Sequence, residues 1–216
     1  MSAPTVYGRT ALVQAALGAV NLTAPDARFL ALIAPGDDEA RRKQVAHESC
    51  CYLVALGIQE LALNVDARGP YRDGYAPALL WGRAGGTPWQ PDGAVRRVTA
   101  FAPPGVGDLL VWGTSGTYPA HVEHVVGTSG VGIPQSGGAE GAPVTFEVVA
   151  GGERTAAPSK LETVRTLSRQ CVWRSGSFVH LATSRKLLAV VCAERLTARY
   201  GVRGTVADDT SGEAAS

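Results

Sequence analysis

The chain has 216 residues, with 20 Lys and Arg against 19 Asp and Glu and only 18% charged positions. A net charge of +1 gives no footing for nucleic acid or an acidic membrane, and 26 glycines with 13 prolines are too many turn residues for a helical bundle. At 45% hydrophobic residues the chain is too apolar for disorder, and its length suits a mixed domain that folds without disulfides or metals.

The N-terminus, Met1-Ser2-Ala3-Pro4-Thr5, lacks a basic segment followed by an apolar one, so no classical signal peptide is expected. No run of about 18 apolar residues appears, so no membrane span is expected either. Residues 7–22 read as a helix with Val13, Ala16, Leu17 and Val20 on one face. Asp26 is placed to cap a helix over 27–33, and Asp37 or Asp38 another over 39–46. Within the latter, Arg41-Arg42-Lys43 reads as a solvated face. Residues 49–63 predict a buried helix, because Cys51, Val54, Ala55, Ile58 and Ala62 form one apolar stripe. Gly57 inside it costs about 1 kcal/mol relative to Ala and suggests close packing.

A loop over 69–93 encloses a short helix near 76–83. Pro103-Pro104-Gly105-Val106-Gly107-Asp108 is a turn that leads into a strand over 109–112, and Asp108 reads as a stabiliser of that turn. Further strands are expected over 121–127, 145–150, 162–167, 171–173, 178–181 and 187–192. The Gly- and Ser-rich stretch 127–143 reads as a connection, residues 193–200 as a short helix, and 204–216 as a flexible tail. Helices followed by a run of strands give an α+β order.

The four cysteines are Cys50, Cys51, Cys171 and Cys192. No CxxC pair and no zinc-like spacing occurs, and adjacent residues such as Cys50 and Cys51 do not bridge without distorting the peptide between them. Cys171 and Cys192 fall in apolar strands and read as buried core thiols. Cys50 and Cys51 differ, since they stand at the start of a helix. There, unpaired N–H groups and the helix dipole favour thiolate. About 70 residues downstream, His121-Val-Glu-His124 heads a strand. A cysteine and a histidine brought together between a helix N-terminus and a sheet suit nucleophilic acyl transfer. The bland alternative is a core cysteine and a surface or satisfied core histidine.

Ser49-Cys50-Cys51-Tyr52-Leu53-Val54, Pro70-Tyr71, Gly107-Asp108, Glu123-His124-Val125 and Val149-Ala150-Gly151-Gly152-Glu153 follow one another in an order that resembles the NlpC/P60 and CHAP cysteine peptidases. The resemblance covers roughly residues 45–155 and is tightest to bacterial and phage members. It implies a papain-like fold, α+β, with N-terminal helices packed on an antiparallel sheet. It also implies hydrolysis of an amide bond in peptidoglycan through a Cys–His thioester mechanism, with no cofactor and no metal. The general pattern selects Cys50 and His121, whereas the tighter one selects Cys51 and His124. Strand alternation puts the two histidines on opposite faces, so only one faces the cysteine. The helix stripe and the Glu-His-Val match favour Cys51 and His124. Where the tighter relatives carry an orienting Asp this chain has Ala150, leaving Glu153, Glu147 or a backbone carbonyl for that role.

Trp112 and Trp89 are the aromatic candidates for binding sugar rings, while Trp81 and Trp173 read as core. His47 reads as a capping or exposed group and His180 as packed or exposed. The expected organisation is a hydrolase domain over 1–203, with helices over 1–46, a catalytic core over 47–155 and C-terminal strands over 156–203. Such an enzyme, made in the cytoplasm, would reach the periplasm or cell wall through a secretion apparatus or phage lysis, with an immunity protein as a possible partner. The alternatives are an inactive binding or structural module and a cysteine acyltransferase or deamidase acting on a protein.

Overall fold

The structure, a computed structural model, describes residues 3–22, 51–64, 95–99, 102–113, 119–130, 141, 143–154 and 162–204. The helices expected over 27–33, 39–46 and 76–83, with Arg41-Arg42-Lys43, His47 and Trp81, lie outside these residues. In chain order the elements are α1 (Ala3–Gly18), α2 (Cys51–Ala62), β1 (Val95–Arg97), β2 (Leu109–Gly113), β3 (Pro119–Ser129), β4 (Val144–Arg154), β5 (Glu162–Arg174), β6 (Ser177–His180), β7 (Lys186–Val191) and α3 (Ala193–Tyr200).

The strands form one antiparallel sheet in the order β1-β7-β2-β3-β4-β5-β6, and β6 pairs again with β7. That last pairing closes six strands into a barrel, to which β1 adds on the remaining edge of β7. The expected papain-like α+β arrangement, with helices laid on a sheet, is therefore corrected: the body is a closed antiparallel β-barrel with few helices. The closing contact pairs Val179 with Lys186 across a hairpin, whereas β2, between β7 and β3, is fed by a return from β7 about 75 residues later. Element order alone carries no record of such a closure.

Alternation divides the barrel into two faces. Leu109, Val111, Val122, Ala189 and Val191 point outward and pack with Leu12 of α1, Ala55 and Ala62 of α2 and Leu196 of α3. A second outer group joins Ala16, Ala19, Val54 and Ile58 to Val149 and Val164. The other face carries residues of the strands and of Val98 after β1, among them Leu110, Trp112, Val125, Phe146, Val148, Cys171, Trp173, Phe178 and Val190. It is the barrel interior. There Phe178 meets Phe146 and Trp173 edge to face, with centroids 5.5 and 5.1 Å away, the orientation aromatic quadrupoles prefer.

Of the stripe expected on α2, Val54, Ala55, Ile58 and Ala62 are all within 4% of complete burial. On α1 the buried face is rotated from the expected one. Leu12 and Ala16 lie inward, as does Ala19 just past the helix, and Leu17 is 49% exposed. Close backbone approach occurs at Gly8, where a Cβ would meet Thr197 of α3, and at Gly151, where one would lie 2.2 Å from Cγ2 of Val54. The helix ends are tied to neighbouring elements. Asn21 and Val164 of β5 join the end of α1 to the barrel, and Arg203 donates its N–H to the Ala62 carbonyl of α2.

Two strand assignments change. Residues 162–167 and 171–173 belong to one continuous strand, β5, because the intervening Ser168, Arg169 and Gln170 keep the alternation, with Arg169 turned inward. The three-residue β1 was not expected; it is too short to show a period and is held by its register against Val191, Val190 and Ala189. The helix expected over 193–200 is found there as α3.

Candidate functional site

Cys51 is the first residue of α2, so its backbone lies among the unpaired N–H groups of a helix N-terminus. The helix runs across the outer face of β3 and β4, and Gly151 admits it by having no side chain. His124 stands on that face of β3, in register with Leu109 on one side and Val149 on the other. Its Nε2 lies 3.5 Å from the carbonyl oxygen of Ala55, one helical turn after Cys51. The ring is 2% exposed, and Nδ1 has no partner within hydrogen-bond geometry among the described residues. Burial pushes the imidazole down to about 4, against the opposing pull of the Ala55 and Gly107 backbones. At neutral pH this ring is uncharged.

The turn before β2 sets the position of His124. Gly107 donates its N–H to the Val125 carbonyl, and Val125 donates its own to the Asp108 carbonyl, so the turn grips β3 beside the histidine. Gly107 has φ +91°, and a side chain there would press on the Arg9 backbone. The buried Asp108 carboxylate accepts N–H groups from Gly105 and Ala193 and pairs with Arg9 at 3.2 Å and Arg96 at 3.7 Å. Arg9 also reaches the Val106 carbonyl and Glu194. Asp108 thus stabilises its turn, as its sequence context suggests, and also ties α1 and the start of α3 to the barrel.

The opposite face of β3 carries a second polar group, inside the barrel. The Glu123 side chain is fully buried and accepts the Trp112 indole N–H at 2.8 Å, a contact with His121 Nε2 at 2.8 Å and two nitrogens of Arg169. Burial works against its charge, but the bonds to His121 and Arg169 outweigh it and bring Glu123 down to about 2. Burial and then Glu123 push the Cys171 thiol up to about 12. His180 of β6 completes the group, 6.1 Å from Trp112, and its Nδ1 lies 2.7 Å from the Thr183 hydroxyl.

The sequence candidates are therefore distributed over two faces. His124 shares the outer face with α2, whose first residue is Cys51; His121 lies inside with Glu123, on the far side of β3 from that helix. Cys50 and Trp89 lie outside the described residues. Glu153 occupies β4 opposite Thr163, and Glu147, at the surface, accepts the Ser168 hydroxyl 21 residues away in sequence. Glu147 makes no hydrogen bond to the His124 ring among the described residues, and the Ala55 and Gly107 backbones lie beside that ring. Trp112 is 2% exposed and fills the interior, so it presents no open platform for a sugar ring. Cys171 and Cys192 are free and buried. Sequence reasoning overlooked Arg169, whose only local signal is a charged residue at an inward position of an alternating strand. Among the described residues no three or more of His, Cys, Asp and Glu stand together as a metal site. No family model, curated protein or solved structure matches the chain in comparison.

Proposed function

We propose that the protein is a cysteine hydrolase that cleaves an amide bond, with Cys51 as nucleophile and His124 as its proton acceptor. The observation that carries this reading is the approach of His124 to the first turn of α2, 3.5 Å from Ala55, on the helix that opens with Cys51. The backbone N–H groups of a helix N-terminus favour the thiolate of a cysteine at that position and can hold the oxyanion of a tetrahedral intermediate. In the reaction His124 takes the thiol proton and sulfur attacks the carbonyl. The C–N bond then breaks as the proton passes to the leaving amine, and water hydrolyses the thioester. The substrate class, the peptide or sugar-linked amides of peptidoglycan, rests on the motif order alone. Delivery to a cell wall by a secretion apparatus or phage lysis, and a partner immunity protein, rest on it too.

A second reading, an inactive binding module, is favoured by one observation: His124 is so deeply buried that it stays neutral and is a weak proton acceptor. Incubation of purified peptidoglycan with the protein, paired with iodoacetamide labelling, separates the two. The hydrolase reading expects fragment release that Cys51→Ala and His124→Gln abolish, and labelling at Cys51. Release that persists in Cys51→Ala, or a protein that neither labels nor releases fragments, overturns it. Labelling without release moves the reading to acyl transfer or deamidation of a protein.

A further inference from the structure

The barrel closes at its weakest seam. One edge of β7 is shared: β1 takes Ala189, Val190 and Val191, and β6 pairs only through Val179 with Lys186. The rest of that junction consists of the His180 N–H on the Arg185 carbonyl, the Ser184 N–H on the His180 carbonyl and the Ser177 hydroxyl on the Leu187 carbonyl. By contrast β4 and β5 pair over nine residues. Two of those three hydrogen bonds use the backbone of one residue, His180, and its side chain lies against Trp112 in the barrel.

The surroundings of that side chain suit a neutral ring and not a charged one. Trp112 of β2 lies against it, Thr183 of the hairpin meets Nδ1, and Cys171 of β5 is its partner in register. Arg169 of β5 and Arg185 of the hairpin both act on the ring as positive charges, and Lys186 of β7 is the residue paired with its neighbour Val179. Among the described residues the anion that acts on it, Glu123 of β3, is already engaged by Arg169 and His121. A proton on His180 adds a cation that Arg169 and Arg185 both repel, in a wall of the barrel that has few bonds to hold it.

We infer that the β6–β7 hairpin is an acid-sensitive seam, which opens when His180 takes up a proton and closes when it releases one. The neighbouring charges set the direction. Burial, Arg169 and Arg185 lower the proton affinity of His180 while Glu123 raises it, and Glu123 itself keeps its charge down to about 2. Of these two groups, the one that takes up a proton first on acidification is therefore the histidine and not the carboxylate. Protein in which the seam is open exposes the Glu123–Arg169–His121 group at that side of the barrel. The inference is independent of the proposed hydrolase activity, because His124 and α2 lie on the outer face.

Amide hydrogen exchange on the full chain between pH 7.5 and 4.5, corrected for intrinsic rates, tests it, together with the ring titration of His180 followed by NMR. The wild type is expected to lose at least tenfold protection at residues 178–181 on acidification, with less than twofold change along β4. The midpoint should follow the His180 titration. His180→Asn, which keeps a polar atom for Thr183 and cannot be protonated, should hold seam protection level across the range. Unchanged protection in the wild type overturns the inference, as does loss spread evenly over the barrel or loss undiminished in His180→Asn. If that variant does not fold, wild-type midpoints for seam and ring that differ by more than one pH unit overturn it as well.

Discussion

His124 offers the sharpest test of how this structure stores free energy. Its imidazole titrates near 6.5 when solvated and is pushed down to about 4 in the folded protein, chiefly by burial. A depressed histidine binds its proton more readily in the unfolded chain, so its contribution is fully present above pH 6.5 and is lost as pH falls toward 4. The difference between those values, at about 1.36 kcal/mol per pH unit, amounts to about 3 kcal/mol, most of which should be gone by pH 4.5. His124→Leu keeps the volume, suits the neighbouring Val149, and removes a buried Nδ1 that has no hydrogen-bond partner among the described residues. Urea unfolding of wild type and His124→Leu at pH 7.5, 6.0, 5.0 and 4.5 reads the effect as a difference of slopes. The wild type should lose about 2–3 kcal/mol more than the variant across that range. Parallel slopes would refute the reasoning, because the ring would then be accessible to protons in the folded state. That outcome would also make His124 a better proton acceptor than its burial allows.

The remaining predictions concern packing and charge. Glu123→Leu leaves Arg169 inside the barrel without its anion and should cost about 3–5 kcal/mol in urea unfolding; the double variant with Arg169→Met should recover more than half of that. Gly151→Ala brings a methyl within 2.2 Å of Val54 and should cost about 1–3 kcal/mol as α2 is pushed off β4, read as a fall in denaturation midpoint. Cys171, its thiol pushed up to about 12, should resist a colorimetric disulfide reagent at pH 8 in the folded protein and react once urea unfolds it; ready modification of the native chain at Cys171 would contradict its burial.

How far the candidate site was legible differs residue by residue. The opposite orientation of His121 and His124 follows from a separation of three along a strand, and the structure places one inside with Glu123 and the other against α2. The apolar stripe of α2 is equally local, since a helical period repeats within a dozen residues. The role of Arg169 is of another kind. It lies in a polar run that reads as a break between strands, and only the Glu123 carboxylate, 46 residues earlier, explains why it points inward. Trp112 likewise reads as a candidate sugar platform until the barrel encloses it.

By itself the sequence determined the small net charge, the helix that begins near Cys51, the strand that carries both histidines, the Asp108 turn and the C-terminal helix over 193–200. Each depends on side chains a few positions apart, where backbone geometry fixes which faces meet. Tertiary structure decided that the sheet closes, that β1 shares an edge of β7 with β6, and that Glu123, Arg169, Trp112 and His121 converge in the interior. Those outcomes join residues tens of positions apart, and their stability comes from burial and charge pairing that exist only once the strands have come together.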